Sequence, residues 1–153
     1  MKAYTLLLVS LTICNNLLWA TNLKSDTLSF SDESLIIKLP RYDKVFIQKY
    51  EEGYFKTYFY AEDSIIFTIR CGTMVNLPII NYPSYHEKTI ISNGKIKKIE
   101  RRWKISDTKK GKRYYREDDY LRDYFHLMYE NVPRKRRKEF DAVIDNITII
   151  LDD

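Results

Sequence analysis

Two kinds of residue in this chain could do chemistry: a bunch of carboxylates at Glu117-Asp118-Asp119, and two bunches of cations at Lys95–Lys112 and Arg134–Lys138. Paired acids hydrolyse glycosidic bonds when they face each other across a cleft, about 5 to 10 Å apart. Successive residues of a strand point to opposite faces, so the three neighbours cannot converge from one strand. With Arg116 and Tyr115 beside them they read most simply as a charged turn. The two histidines, His86 and His126, have no second metal-type ligand at a recognised spacing, and zinc sites draw three or four ligands from the protein. Four glycines supply neither a phosphate-cradling loop nor a Gly-x-Ser-x-Gly elbow. No catalytic residue, metal ligand or cofactor is assigned from these residues.

The cations carry more. The formal net charge is +5, concentrated in Lys95, Lys97, Lys98, Arg101, Arg102, Lys104, Lys109, Lys110 and Lys112, with only Glu100 and Asp107 between them. Trp103, Tyr114 and Tyr115 lie nearby, and aromatics among cations suit bases, sugars or a partner's side chains. A solvated positive face explains the same residues; the alternative is a contact surface for an anionic partner. The candidate binding residues are Arg101, Arg102, Trp103, Lys104, Tyr114, Tyr115, Arg134, Arg136 and Arg137. The second group breaks a local rule, since a cation in the first turn of a helix opposes the helix dipole at a cost of about 0.3 to 1 kcal/mol. Partial pairing with Glu130, Glu139 and Asp141 softens this by only about 0 to 1 kcal/mol per exposed pair.

The elements that must position these residues are mostly strands. Leu35, Ile37 and Leu39 alternate up to Pro40; Val45–Tyr50, Tyr54–Tyr60 and Ile65–Cys71 follow, separated by turns at Glu51-Glu52-Gly53 and Ala61–Ser64, so they predict an antiparallel meander. Tyr54, Lys56, Tyr58 and Tyr60 share one face of their strand, which is either covered by the helix or exposed for binding. Thr73–Glu87, with Pro78 and Pro83, predicts a crossing loop holding one short strand at Val75–Ile80. Asn93-Gly94 marks a hairpin, whose return strand, Lys95–Ser106, places Ile99, Arg101, Trp103 and Ile105 on one side. Lys98, Glu100, Arg102 and Lys104 fall on the other, read as a solvated edge. Asp107–Lys112 is a charged loop before a strand from Arg113. Residues 120–131 suit a helix through Leu121, Tyr124, Phe125 and Met128, or a strand through Phe125, Leu127 and Tyr129; the density of β-formers favours the strand. Pro133–Leu151 carries the clearest helical stripe, Phe140, Val143, Ile144 and Ile147.

Residues 1–20 read as a secretory signal: a basic start, an apolar run from Ala3 to Ile13 too short for the roughly 20 residues of a membrane span, and Ala20 before the cleavage point. Leu11-Thr12-Ile13-Cys14 offers a lipobox reading with Cys14 as a lipid anchor, although Ile13 stands where that pattern wants a small residue. Residues 21–34 are polar and aperiodic, a flexible leader, and residues 35–153 form a single domain. After cleavage Cys71 is the only cysteine, so no intramolecular disulfide is available, and its parity with Ile65, Phe67 and Ile69 predicts a buried hydrophobe. Export to the periplasm or beyond argues against nucleic acid as the partner.

The run Tyr129-Glu130-Asn131-Val132-Pro133, leading into Phe140-Asp141-Ala142-Val143-Ile144-Asp145-Asn146-Ile147, resembles the close of small exported proteins of Bacteroidetes. In element order the chain is similar to the PsbP/Mog1-like fold, a curved antiparallel sheet backed by helices, although no early helix is evident here. The resemblance implies partner binding rather than catalysis. The expected fold is therefore α+β, an antiparallel sheet (meander) packed by a C-terminal α-helix. The expected function is that of an exported, non-catalytic binding protein acting through a basic and aromatic surface on a protein or an anionic envelope component. An immunity or inhibitor protein meeting an acidic toxin is one version; an enzyme acting on an envelope polymer is the alternative.

Overall fold

The computed structural model describes residues 23–73, 85–92, 95–107, 109–120 and 124–151. The strands are β1 (Leu23–Phe30), β2 (Glu33–Pro40), β3 (Lys44–Tyr50), β4 (Gly53–Tyr60), β5 (Ile65–Gly72), β6 (His86–Ser92), β7 (Lys95–Asp107), β8 (Gly111–Asp119) and β9 (Phe125–Pro133). A 3-10 turn (Arg134–Arg136), one helix, α1 (Arg137–Asp145), and β10 (Thr148–Leu151) close the chain. They form a three-stranded sheet, β1-β2-β10, and a seven-stranded sheet, β3-β4-β5-β9-β8-β7-β6. Every described pairing is antiparallel. The fold is α+β, dominated by sheet, with a short C-terminal helix packed on it.

The predicted meander is β3-β4-β5. Its first turn depends on a close approach: a Cβ on Gly53 would lie 2.0 Å from the Cys71 carbonyl oxygen, and the Tyr50 hydroxyl donates to that oxygen at 3.1 Å. The core fills the space between the sheets. Leu28, Leu35, Ile37 and Leu39 from the small sheet meet Tyr58, Tyr60, Phe67, Ile69, Phe125, Leu127 and Tyr129 from the large one. Phe140, Val143 and Ile144 of α1 complete it, Phe140 meeting Tyr60 edge-on at 5.1 Å. Cys71 lies in this core as a free thiol, and burial pushes its pKa up to about 11.

Two readings are corrected. Residues 23–30, expected in a flexible leader, form β1, with Leu28 buried and paired opposite Leu35. The polar composition conceals this because β1 is an edge strand whose other side chains are largely exposed, and those facing inward have specific partners. Asp26 accepts from the Tyr58 hydroxyl at 2.6 Å and from Lys56 Nζ at 3.0 Å, and the Ser29 carbonyl accepts from Tyr54 at 3.2 Å. The tyrosine face of β4 is thus covered chiefly by β1 and β2, with α1 taking Tyr60. The expected helix through Leu151 ends at Asp145, where the Asn146 amide side chain donates to the Ala142 carbonyl at 2.7 Å. Thr148–Leu151 then pairs with β2. A β-branched run beside the second, open edge of β2 gains a hydrogen-bond ladder that continued helix would forgo.

The ambiguous segment after Asp123 is strand, β9, from Phe125. The signal peptide with Cys14, the short strand at Val75–Ile80 and the Asn93-Gly94 turn lie outside the described residues, although β6 and β7 pair up to Ser92 opposite Lys95.

If β1 belongs to the core, Leu28→Ala lowers unfolding free energy in urea by about 2 to 5 kcal/mol; a leader residue would change it by no more than about 0.5 kcal/mol.

Candidate anion-binding interface

The cations are positioned by one buried guanidinium. Arg116 of β8 is fully buried on the core-side face. Asp118, two residues along the same strand, holds it in a fork, Nε to Oδ1 at 2.7 Å and Nη2 to Oδ2 at 2.9 Å. Glu100 of β7 accepts at 3.1 Å and Asp145 of α1 at 2.6 Å. Asp141, also on α1, receives Arg116 through its carbonyl at 3.3 Å, Arg102 at 2.8 Å and the Tyr129 hydroxyl at 2.9 Å. Lys98 bonds Asp118, and Arg102 bonds Glu100. Burial works against the Arg116 charge, but the surrounding carboxylates hold its pKa well above the ordinary value. Burial likewise opposes the charges of Glu100 and Asp145, yet pairing with Arg102 and Arg116 leaves both below the usual carboxylate range. The side of β7 expected to be a solvated edge is therefore partly covered, at Lys98, Glu100 and Arg102, because β8 and the helix carboxylates come to it and β6 pairs with β7 up to Arg102, whereas Lys104 is exposed as expected.

The two basic groups of the sequence meet where the helix begins. Lys112 and Tyr114 of β8, Arg134 and Lys135 of the 3-10 turn, and Arg137 and Lys138 of α1, with Asp141, line an open groove of about 1020 Å³. The Arg137 guanidinium lies 4.7 Å from the centre of the Tyr114 ring. Asp141 is engaged by Arg102, Arg116 and Tyr129 and by Arg137 at 3.5 Å, and Lys135 reaches Asp63 at 3.3 Å, so the cationic character of the lining rests mainly on Lys112, Arg134 and Lys138. The helix start has no side-chain cap, and the positive end of the helix dipole adds to the potential there.

Of the candidate residues, Tyr114, Arg134 and Arg137 come together here, with exposed Lys104 opposite Tyr114 on β7. Arg102 is committed to Glu100 and Asp141. Arg136 turns inward, bonding Glu139 at 2.7 Å with its guanidinium 5.0 Å from the Phe140 ring. Arg101, Trp103 and Tyr115 lie on the opposite face of the sheet, where Trp103 stacks on Tyr115 at 5.5 Å.

That opposite face holds a cluster the sequence pattern hides. Glu117 and Asp119, expected in a turn, are buried within β8, and Asp119 sits opposite the buried His126 of β9. His126 Nε2 lies 2.9 Å from Glu117 and Nδ1 lies 3.9 Å from Asp119. Arg70 Nη2 contacts Nδ1 at 3.4 Å. Arg101 reaches Glu117 at 3.5 Å and Glu87 at 2.9 Å. Burial raises the Asp119 pKa, and the charges of His126, Arg101 and Arg70 offset this only in part. The available signal was alternation: charges in phase with Glu117 and Asp119 and charges in phase with Arg116 and Asp118 mark a strand ionic on both faces. Among the described residues no group of His, Cys, Asp and Glu could hold a metal ion.

No family model, curated protein or solved structure matches the chain.

With its pKa raised, Asp119 binds its proton more tightly folded than unfolded, so ionising it costs stability that is retained below the unfolded pKa and lost as pH rises through the folded one. Asp119→Asn, which cannot ionise, therefore gains on the parent protein as pH rises from about 4 to 7. Guanidinium midpoints compared across that range check it; a pH-independent difference contradicts it.

Proposed function

We propose that the protein is a non-catalytic binding protein that takes an acidic protein surface into the groove around Tyr114. The supporting observation is that Lys112, Arg134, Lys135, Arg137 and Lys138, from two segments of the chain, line one groove with Tyr114, whose ring Arg137 overlies. Cations of this kind steer an anionic partner and set its orientation. The groove offers no nucleophile beside a general base, since its carboxylate, Asp141, is bound by Arg102, Arg116 and Tyr129. The signal-like pattern of residues 1–20 suits an encounter in the periplasm or outside the cell, and an immunity or inhibitor protein meeting an acidic toxin is the version of the proposal that goes with it.

A second reading, hydrolysis of an envelope polymer, draws on Glu117, Asp119 and His126, which do converge. It needs a cleft at those groups, and they line none of the four described grooves.

The test uses poly-L-glutamate as an acidic probe in fluorescence titrations, followed by affinity capture from envelope extract. Binding to the parent protein weakens steeply with salt. The triple variant Lys112→Glu, Arg134→Glu, Lys138→Glu loses at least about tenfold in affinity, since each 1.4 kcal/mol is a factor of ten, while its circular dichroism is unchanged. Capture that survives high salt and the triple variant overturns the reading.

A further inference from the structure

β3 is the outer strand of the seven-stranded sheet, paired only with β4 among the described residues. Such an edge offers an unfilled row of N–H and C=O groups, and proteins usually blunt it with lysines, proline, a bulge or short length. β3 carries lysines only toward its ends, Lys44 and Lys49, has no proline, and keeps its register against β4 unbroken from Lys44 to Tyr50. Its centre is apolar on both faces and open: Val45 is 44 % exposed, Phe46 59 % and Ile47 52 %. Phe46 shares its face with Phe59, itself 37 % exposed, while Val45 and Ile47 point to the other face. Three adjacent exposed apolar residues on a bare edge mark a surface that gains by being covered.

We propose that this edge pairs with the β3 edge of a second copy of the chain, antiparallel about a two-fold axis through Phe46. The occupant follows from register. Tyr50 and Gly53 close the Glu51-Glu52 turn, so residues in phase with Tyr50, Phe46 among them, direct their peptide groups at β4, and Val45, Ile47 and Lys49 direct theirs outward. A symmetric antiparallel pairing must set outward residues against outward residues. Centred on Phe46, it puts Phe46 opposite itself and Val45 opposite Ile47 on both sides, so every apolar residue meets an apolar one. Centring on Ile47 would instead leave Phe46 against Gln48 and Val45 against Lys49. A two-fold contact is self-complementary, and this strand is self-complementary in one register.

Sedimentation equilibrium of the full chain from micromolar to submillimolar concentration reads the association. The proposal gives a concentration-dependent dimer. Phe46→Lys, which sets two cations face to face at the axis, returns it to monomer with an unchanged circular dichroism spectrum. Oxidation with diamide cross-links Phe46→Cys into a disulfide dimer well above the level of the parent chain, whose Cys14 and Cys71 set the baseline. Ile47→Cys, facing Val45 of the other copy, cross-links weakly. A chain that stays monomeric throughout, a dimer that survives Phe46→Lys, or cross-linking strongest at Ile47→Cys overturns the proposal.

Discussion

A guanidinium without water must be surrounded by carboxylates, and the arrangement of this protein follows from meeting that requirement at Arg116. The idealised cost of burying an isolated ion is of order 20 kcal/mol, and removing one partner of a buried pair typically costs about 3 to 5 kcal/mol. Asp118, Glu100, Asp141 and Asp145 come to Arg116 from its own strand, the neighbouring strand and the helix. That fixes where α1 lies. Its apolar residues Phe140, Val143 and Ile144 rest on the core, while its carboxylates reach the charged half of the sheet.

This arrangement also accounts for the cationic start of the helix. Asp141 and Asp145 are drawn inward, Glu139 is held by Arg136, and the remaining acid contacts of these turns are Arg137 with Asp141 at 3.5 Å and Lys135 with Asp63 at 3.3 Å. Arg134, Arg137 and Lys138 are thereby left at the rim of the groove beside Lys112 and Tyr114. A helix start that violates the dipole preference is a local cost that leaves concentrated positive charge facing solvent. Local rules of this kind are broken most often where a surface serves a partner.

How much of this could be read from the residues differs by element. The meander was legible because β3, β4 and β5 carry β-branched and aromatic runs cut by turns, and Cys71 was legible as core from its parity with Ile69 and Phe67. β1 was not, since Asp26, Ser25 and Ser29 mimic a linker until Lys56, Tyr58 and Tyr54 are seen to bond that strand. The end of α1 was hidden because Ile147 continues the helical stripe, packing on the core, while the next residues pair with β2. The basic groups were visible as composition, but the division of Arg101 from Arg102 between opposite faces depends on which strands flank β7. The buried acids of β8 were misread as a turn because charge in a strand usually means solvent, whereas here each face meets opposite charge on neighbouring strands.

The claim that Arg116 ties the helix to the sheet is tested most directly by a double-mutant cycle of Arg116→Met and Asp145→Asn, read by urea unfolding. The account predicts a coupling energy of about 0.5 to 2 kcal/mol, the lower end reflecting the half-exposed Asp145 side chain. Strict additivity of the two substitutions would mean that the helix is seated by its apolar stripe alone, and would contradict it.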